Sequence, residues 1–173
     1  MRTEPTGGDL PSRVLTIGNR QRDCRIDGVF LKKLVRVHLQ DQLRLNHYDL
    51  GIHLVSARRM GEANEMHLQH EGATDVITFD YAESGQKNLH GELLVCPSVA
   101  VEQAREFGTT WESEILRYII HGVLHLRGYD DRTTGDRRVM QREENRLLKG
   151  LVAAHSVRRL RARPRIPRKR SLE

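Results

Sequence analysis

Two histidines stand four residues apart in an apolar stretch of the chain, YIIHGVLHLRGYDD at 118–131. On a helix, residues four apart lie one turn apart on the same face, so His121 and His125 can both direct a ring nitrogen at one ion. Histidine is the commonest nitrogen ligand of zinc, and a catalytic zinc takes three protein ligands and keeps one open position. The pair therefore indicates a metal site that needs a third ligand from outside the helix.

Gly128 and Asp131 complete this interpretation. A glycine three residues after the second histidine can adopt a left-handed conformation and end the helix, which lets the chain fold back. The spacing of the two histidines, the glycine and residue 131 is that of the long zincin motif. Asp131 holds the last position, and an aspartate oxygen is an accepted zinc ligand. The sequence predicts a metal site formed by His121, His125 and Asp131.

The residue after the first histidine distinguishes this motif from that of the zinc peptidases. Those enzymes carry a general-base glutamate there, whereas this chain has Gly122. A metal can itself lower the pKa of a bound water to about 7, so hydrolysis does not require that glutamate. We expect the glycine to leave room beside the metal for a larger substrate.

Hydrophobic periodicity predicts the elements that position this motif. Strands are expected at 13–17, 48–57, 74–81 and 90–96, the last two forming a hairpin, and helices at 27–46, 58–70, 97–108, 110–126 and 135–151. A capping box formed by Thr109 and Glu112 should begin the helix that carries the histidines. The fold class is α+β, with one small mixed β-sheet packed by helices.

Length and composition favour one folded domain. We expect a flexible N-terminus over 1–12, a catalytic domain over 13–154 and a disordered basic tail over 155–173. No apolar run approaches membrane-spanning length, so we expect no membrane partner. The absence of a signal-peptide core and the two distant cysteines, Cys24 and Cys96, favour reduced thiols and a cytoplasmic protein.

Positive charge is concentrated in the tail. Residues 155–173 carry eight basic residues and one acid, a net charge of +7, which leaves −1 for residues 1–154 of a chain with net charge +6. Such a segment is typical of an arm that contacts RNA phosphates, although a solvated end without a partner is the alternative. The predicted RNA-binding residues are Arg158, Arg159, Arg161, Arg163, Arg165, Arg168, Lys169 and Arg170.

The stretch HGVLHLRGYDD resembles the signature H-G-x-L-H-L-x-G-Y-D-H of the YbeY family of bacterial rRNA-maturation endoribonucleases. TDVITFD at 74–80 and GELLVCPSVA at 91–100 are similar to two further family segments, and the order agrees over roughly residues 30–150. The resemblance implies a zincin-like α+β fold and one zinc ion per chain. It also implies cleavage of single-stranded RNA in 16S rRNA 3′-end maturation and ribosome quality control, with the small ribosomal subunit and its proteins as partners.

By position, His121 and His125 match the first two metal ligands of the family, and Asp131 replaces its usual third histidine. A carboxylate shifts the preference of the site toward metals that favour oxygen. The family's cleft arginine precedes the TDV strand, where this chain has MHLQHEGA at 66–73. In this chain we assign the catalytic role of the missing family arginine to Arg59 or its neighbour Arg58, and to His70.

Thr74 and Asp75 are predicted to shape the strand beside the metal, and Asp130 is either a partner of a ligand histidine or a turn residue.

Two other functions stay open. A zinc peptidase would fit the ligand spacing but not Gly122. A non-catalytic ribosome-binding factor with a structural metal would fit a closed four-ligand site.

Overall fold

The computed structural model describes residues 12–68, 74–83 and 88–162. Four strands and five helices follow one another in the predicted order, and none of the described helices is long and apolar enough to cross a membrane. The strands are β1 (Arg13–Asn19), β2 (Tyr48–Leu54), β3 (Val76–Asp80) and β4 (Leu89–Val95). The helices are α1 (Gly28–Val37), α2 (Ala57–Leu68), α3 (Pro97–Phe107), α4 (Trp111–Leu126) and α5 (Thr134–Ala154). α1 continues into a π-helical turn, His38–Gln42.

The strands form one mixed sheet in the order β1-β2-β4-β3. β1 and β4 both run parallel to β2, whereas β3 pairs antiparallel with β4, as the predicted hairpin requires. The α+β class and the small mixed sheet are confirmed. β3 lies at the edge of the sheet, so one side of this strand is not covered by another described strand.

α4 is the central helix, because its apolar side chains pack into the main hydrophobic core with those of β2 and β4. It begins at Thr110, whose hydroxyl accepts a hydrogen bond from the Ser113 amide. The expected capping box of Thr109 and Glu112 is therefore wrong. The Thr109 hydroxyl donates to Glu114 instead (2.6 Å), and Glu112 is buried beside Arg161.

The folded body extends beyond the expected boundary at residue 154. After α5, Val157–Leu160 form a 3₁₀ turn in which Val157 and Leu160 are buried. The Ala162 amide donates to the Arg25 carbonyl (3.0 Å), and the Arg161 guanidinium lies 3.1 Å from the Glu112 carboxylate. The expectation of a disordered tail is therefore wrong for residues 155–162. Residues 1–11 of the expected flexible segment over 1–12, and the residues from 163 onward, lie outside the described ranges.

Gly122 allows α4 to approach the sheet closely. A Cβ atom added at this position would lie 2.7 Å from Leu93 Cδ2 and 3.2 Å from Thr78 Oγ1. The residue is buried and faces the sheet, so the expectation that it leaves room for a larger substrate is wrong. The missing side chain provides space for β4 and β3.

We expect Gly122→Ala to lower the free energy of unfolding. Overpacking costs about 1–3 kcal/mol, which exceeds the roughly 1 kcal/mol that alanine contributes to a helix interior. Gly135→Ala is the matched control, because a Cβ there meets only Thr133 Oγ1 at 3.8 Å. Urea unfolding of both variants measures the difference. Equal stabilisation by the two substitutions would contradict the close approach.

Candidate metal centre

His121, His125 and Asp131 come together as the sequence predicts. The Nε2 atoms of the two histidines are 3.1 Å apart. Asp131 Oδ2 lies 3.9 Å from Nε2 of His121 and 3.8 Å from Nε2 of His125. One donor atom from each residue thus falls within 4.8 Å of the others, which makes the group a candidate metal centre.

The turn after α4 delivers Asp131 to this cluster. Gly128 has a φ of +87°, which favours glycine, and its amide donates to the His125 carbonyl at 2.8 Å. Asp130 accepts hydrogen bonds from the Asp131 amide (2.8 Å) and from Arg132, so it acts as a turn residue and contacts neither histidine through these bonds. The predicted use of Gly128 to end the helix and reverse the chain is confirmed.

Each histidine of the cluster is oriented through its other ring nitrogen. Nδ1 of His121 lies 3.0 Å from a Glu144 carboxylate oxygen, and Nδ1 of His125 lies 3.1 Å from the Tyr129 carbonyl oxygen. Both partners only accept hydrogen bonds, so Nδ1 carries the hydrogen in each ring. In the neutral rings the two Nε2 lone pairs then face each other at 3.1 Å, an arrangement that a bound cation stabilises.

The spacing of the donors fits a metal ion. Ligand atoms about 2.0–2.1 Å from a tetrahedral zinc lie about 3.3 Å from one another. The two histidine nitrogens are within a few tenths of an ångström of that value, and the aspartate oxygen is about half an ångström farther away. Two imidazoles and one carboxylate are a donor set that zinc accepts.

Glu144 on α5 contacts the candidate metal centre and was not identified from the sequence. Its carboxylate bridges His121 and the Arg117 guanidinium, which lies 2.6 Å away. Burial alone would raise the pKa of Glu144, but the hydrogen bonds from His121 and Arg117 outweigh burial and hold it below its usual value. The available signal was a glutamate on the helix face that buries Met140, Leu147, Leu148 and Leu151.

The pKa of His121 is set by burial together with Glu144 and two nearby aspartates. Burial lowers the pKa of this histidine, but Glu144, Asp75 and Asp131 outweigh burial and raise it above its usual value. A negative environment that favours a proton on the ring also favours a metal cation at the same position. The electrostatics of the cluster therefore match its geometry.

The cluster opens into a cleft of about 450 Å³ beside the edge strand β3. The side chains of His121, His125 and Asp131 are 27%, 29% and 41% exposed, so solvent reaches them. The remaining lining residues come from the β3 strand and the residue before it: Asp75, Val76, Ile77, Thr78 and Asp80.

Thr74 and Asp75 immediately precede this strand. Asp75 accepts hydrogen bonds from the Val76 amide (2.8 Å) and the Thr74 hydroxyl (3.0 Å), which fixes the start of β3. Asp75 lines the cleft, whereas Thr74 contacts it only through Asp75.

The predicted catalytic arginine is not brought to the cleft. Arg59 is 71% exposed on α2 and pairs with Glu62 at 3.5 Å, and Arg58 pairs with the same glutamate at 3.7 Å. Neither arginine lines the cleft. His70 lies outside the described residues. Of the predicted RNA-binding residues, only Arg158, Arg159 and Arg161 are described, and they lie at the 3₁₀ turn.

Fold and site together define a class of protein: an α+β protein in which two histidines and an aspartate, a donor set suited to one metal ion, lie in an open cleft as in metal-dependent hydrolases. A family model for endoribonuclease YbeY matches residues 16–152. The chain belongs to the YbeY family of endoribonucleases.

Relatives and a solved structure agree with this assignment. Endoribonuclease YbeY of Finegoldia magna is 32% identical over 79% of this chain and 92% of its own length. That of Chlorobium luteolum is 36% identical over 73% and 90%. The solution structure of TM1509 from Thermotoga maritima is 25% identical, with a TM-score of 0.61 over 90% of this chain and 100% of its own.

We expect Glu144→Gln to weaken Zn²⁺ binding about 10- to 100-fold, the usual effect of losing a carboxylate that orients a ligand histidine. Glu143→Gln is the matched control, because Glu143 is the preceding residue on α5 and pairs with Arg146 at 2.6 Å. Competition with a chromophoric chelator measures both affinities. If the two variants bind zinc equally, Glu144 does not orient His121 for metal binding.

Proposed function

We propose that this chain is a zinc-dependent endoribonuclease that cuts single-stranded RNA at the cluster of His121, His125 and Asp131. The observation that carries the proposal is the pair of Nε2 atoms 3.1 Å apart, with both Nδ1 atoms held by acceptors. Membership of an endoribonuclease family supplies the reaction class. Zinc is proposed on the donor set, one ion per chain.

The chain's own residues have three tasks in this proposal. His121, His125 and Asp131 hold the ion, which when bound supplies Lewis acidity and a water of lowered pKa. Glu144 and the Tyr129 carbonyl keep Nδ1 protonated in each histidine and so leave Nε2 free as a ligand. The open edge of β3 forms one wall of the cleft, along which the substrate strand would lie.

The charge of the cleft supports metal dependence. Among the described residues that line it, none is lysine or arginine, and three are aspartates. A phosphodiester is negatively charged, so these side chains alone would repel it. A divalent cation would reverse the sign at the position where the phosphate must bind.

The cellular role is proposed from the family resemblance and the basic C-terminal segment. The substrate would be rRNA, with action in 16S rRNA 3′-end maturation and ribosome quality control. The small ribosomal subunit and its proteins would be the partners, which requires a cytoplasmic location. The tail arginines and Lys169 would contact RNA phosphates in this role.

The alternatives are less well supported. A peptidase of the usual zincin kind needs a glutamate after the first histidine, and Gly122 faces the sheet where a side chain would collide with Leu93. A closed site with four ligands would indicate a purely structural metal. The cluster within the described residues instead offers three ligands and is partly exposed.

We expect the wild type to bind about one zinc per chain and to cleave single-stranded RNA only with the metal present. His125→Ala and Asp131→Asn should lose both properties, because each removes one of three ligands. Asp49→Asn, an exposed position on β2, is the control for the loss of an aspartate charge. Metal content and gel-resolved RNA cleavage are measured after chelation and after zinc is restored.

Two outcomes of these measurements would contradict the proposal. A wild type that holds zinc, binds RNA and never cleaves it would make the metal structural. Retention of zinc and cleavage by Asp131→Asn would remove Asp131 from the ligand set.

We expect the basic tail to contribute salt-dependent RNA affinity. Replacing Arg163, Arg165, Arg168, Lys169 and Arg170 by glutamine should lower the slope of log K against log salt by up to about 3.5, or about 0.7 for each lost phosphate contact with single-stranded RNA. Anisotropy titrations at several salt concentrations measure the slope. The control removes five exposed charges from the folded body: Arg22, Lys33, Arg36, Arg142 and Lys149. Equal slopes for the two variants would show that the tail has no special role.

A further inference from the structure

A second pocket of about 500 Å³ adjoins the metal cleft. The two cavities share Asp75 and His121 in their linings, so they meet at the cluster. Residues from the end of α3, from the loop after it, from α4 and from the middle of α5 form the rest of the second pocket. A substrate strand that places one phosphodiester at the cluster therefore has a second cavity within immediate reach.

Phe107 gives this pocket an exposed aromatic wall. It is the last residue of α3, its side chain lines the pocket, and it is 64% exposed. An aromatic ring left in solvent at the rim of a polar cavity is a surface on which a nucleobase can stack. The core does not account for Phe107, since it belongs to neither described hydrophobic cluster.

The charges in the pocket favour an uncharged base over a phosphate. Arg117 is the cationic side chain there, but Glu144 lies 2.6 Å and Glu114 3.6 Å from its guanidinium. Both glutamates are nearly buried, so they neutralise the arginine at close range. With Asp75 included, the acidic lining residues outnumber Arg117, which would repel a phosphate.

The polar groups suit the edge of a base. Gln103 and Gln141 line the pocket and have no hydrogen-bond partner within the described part of the chain, so their amides are available to a ligand. The Tyr118 hydroxyl is buried at the same pocket and also lacks a partner among the described residues. Amide and hydroxyl groups both donate and accept hydrogen bonds, as the edges of bases require.

We infer that this pocket binds the base of a nucleotide next to the phosphodiester that is cut, with the base stacked on Phe107. The inference rests on the proposed endoribonuclease function, because it takes single-stranded RNA as the ligand. It assigns Phe107 as a substrate-binding residue and places a base-recognition site beside the metal.

The test compares the full-length wild type with Phe107→Ala, Phe107→Tyr and Val29→Ala. Val29 is a control for the loss of an exposed apolar side chain, because it is 84% exposed on α1 and lines neither pocket. The probe is a short labelled single-stranded RNA, and stopped-flow anisotropy with the zinc-loaded proteins records binding before the RNA is cut. Steady-state cleavage by the zinc-loaded proteins is measured in parallel.

We expect Phe107→Ala to bind about 5- to 100-fold more weakly, the usual effect of losing one stacked base. KM should rise with little change in kcat, because the ring binds substrate without touching the reacting atoms. Phe107→Tyr and Val29→Ala should behave like the wild type. With RNAs that lack one base at a time, the effect of Phe107→Ala should disappear at the single position that occupies the pocket.

The outcomes separate this inference from the proposed function. If Phe107→Ala binds intact RNA as tightly as the wild type, the base site is wrong even when the wild type cleaves RNA normally. An effect of Phe107→Ala that persists on every RNA lacking one base would also overturn it. A wild type that never cleaves RNA, but binds it in a Phe107-dependent and base-dependent way, overturns the proposed function and leaves the base site standing.

Discussion

The close contact between α4 and the sheet at Gly122 is the constraint on which the site depends. One face of the helix must pack on β4 and β3 without a side chain at this position. The neighbouring positions, His121 and His125, are then turned toward the edge strand and away from the core. Because the edge strand carries Thr78 and Asp80 and is preceded by Asp75, the histidines face a polar cleft. The packing of Gly122 on the sheet thus places the two histidines beside the edge strand instead of in the core.

α5 supplies a side chain that fixes the orientation of His121 on α4. An imidazole on a helix can rotate about its side-chain bonds, whereas an imidazole that binds a metal has to keep one orientation. Glu144 restrains His121 from α5, and Arg117 restrains Glu144 from α4, so the two helices fix each other through one nearly buried ionic group. Such a group is costly to bury unless every member is paired, and here the carboxylate has a partner at each oxygen. The same pairing offsets the positive charge of Arg117.

The sequence was sufficient for the elements and for the cluster of His121, His125 and Asp131, because both depend on local patterns. The site is encoded in eleven consecutive residues. They contain two histidines four residues apart on an amphipathic helix, a glycine that ends the helix and a carboxylate three residues after the glycine. Glu144 was missed because its role depends on how α5 packs against α4. Arg59 was placed in the cleft by analogy, whereas α2 turns it to solvent beside Glu62. The folded segment 155–162 was hidden by its charge, since Val157 and Leu160 are only two apolar residues among arginines.

The distribution of charge separates the two demands that an RNA enzyme must meet. Attraction of a polyanion requires positive charge that acts over a Debye length of about 8–10 Å at ordinary salt, and the arginines of the C-terminal segment carry such charge outside the cleft. Chemistry at one phosphodiester requires positive charge at a single point. If the cleft itself were lined with arginines, RNA would bind in many registers along it. An acidic cleft instead admits a phosphate only where a metal ion offsets the carboxylates, so the ion that would supply the chemistry would also select the position of the cut.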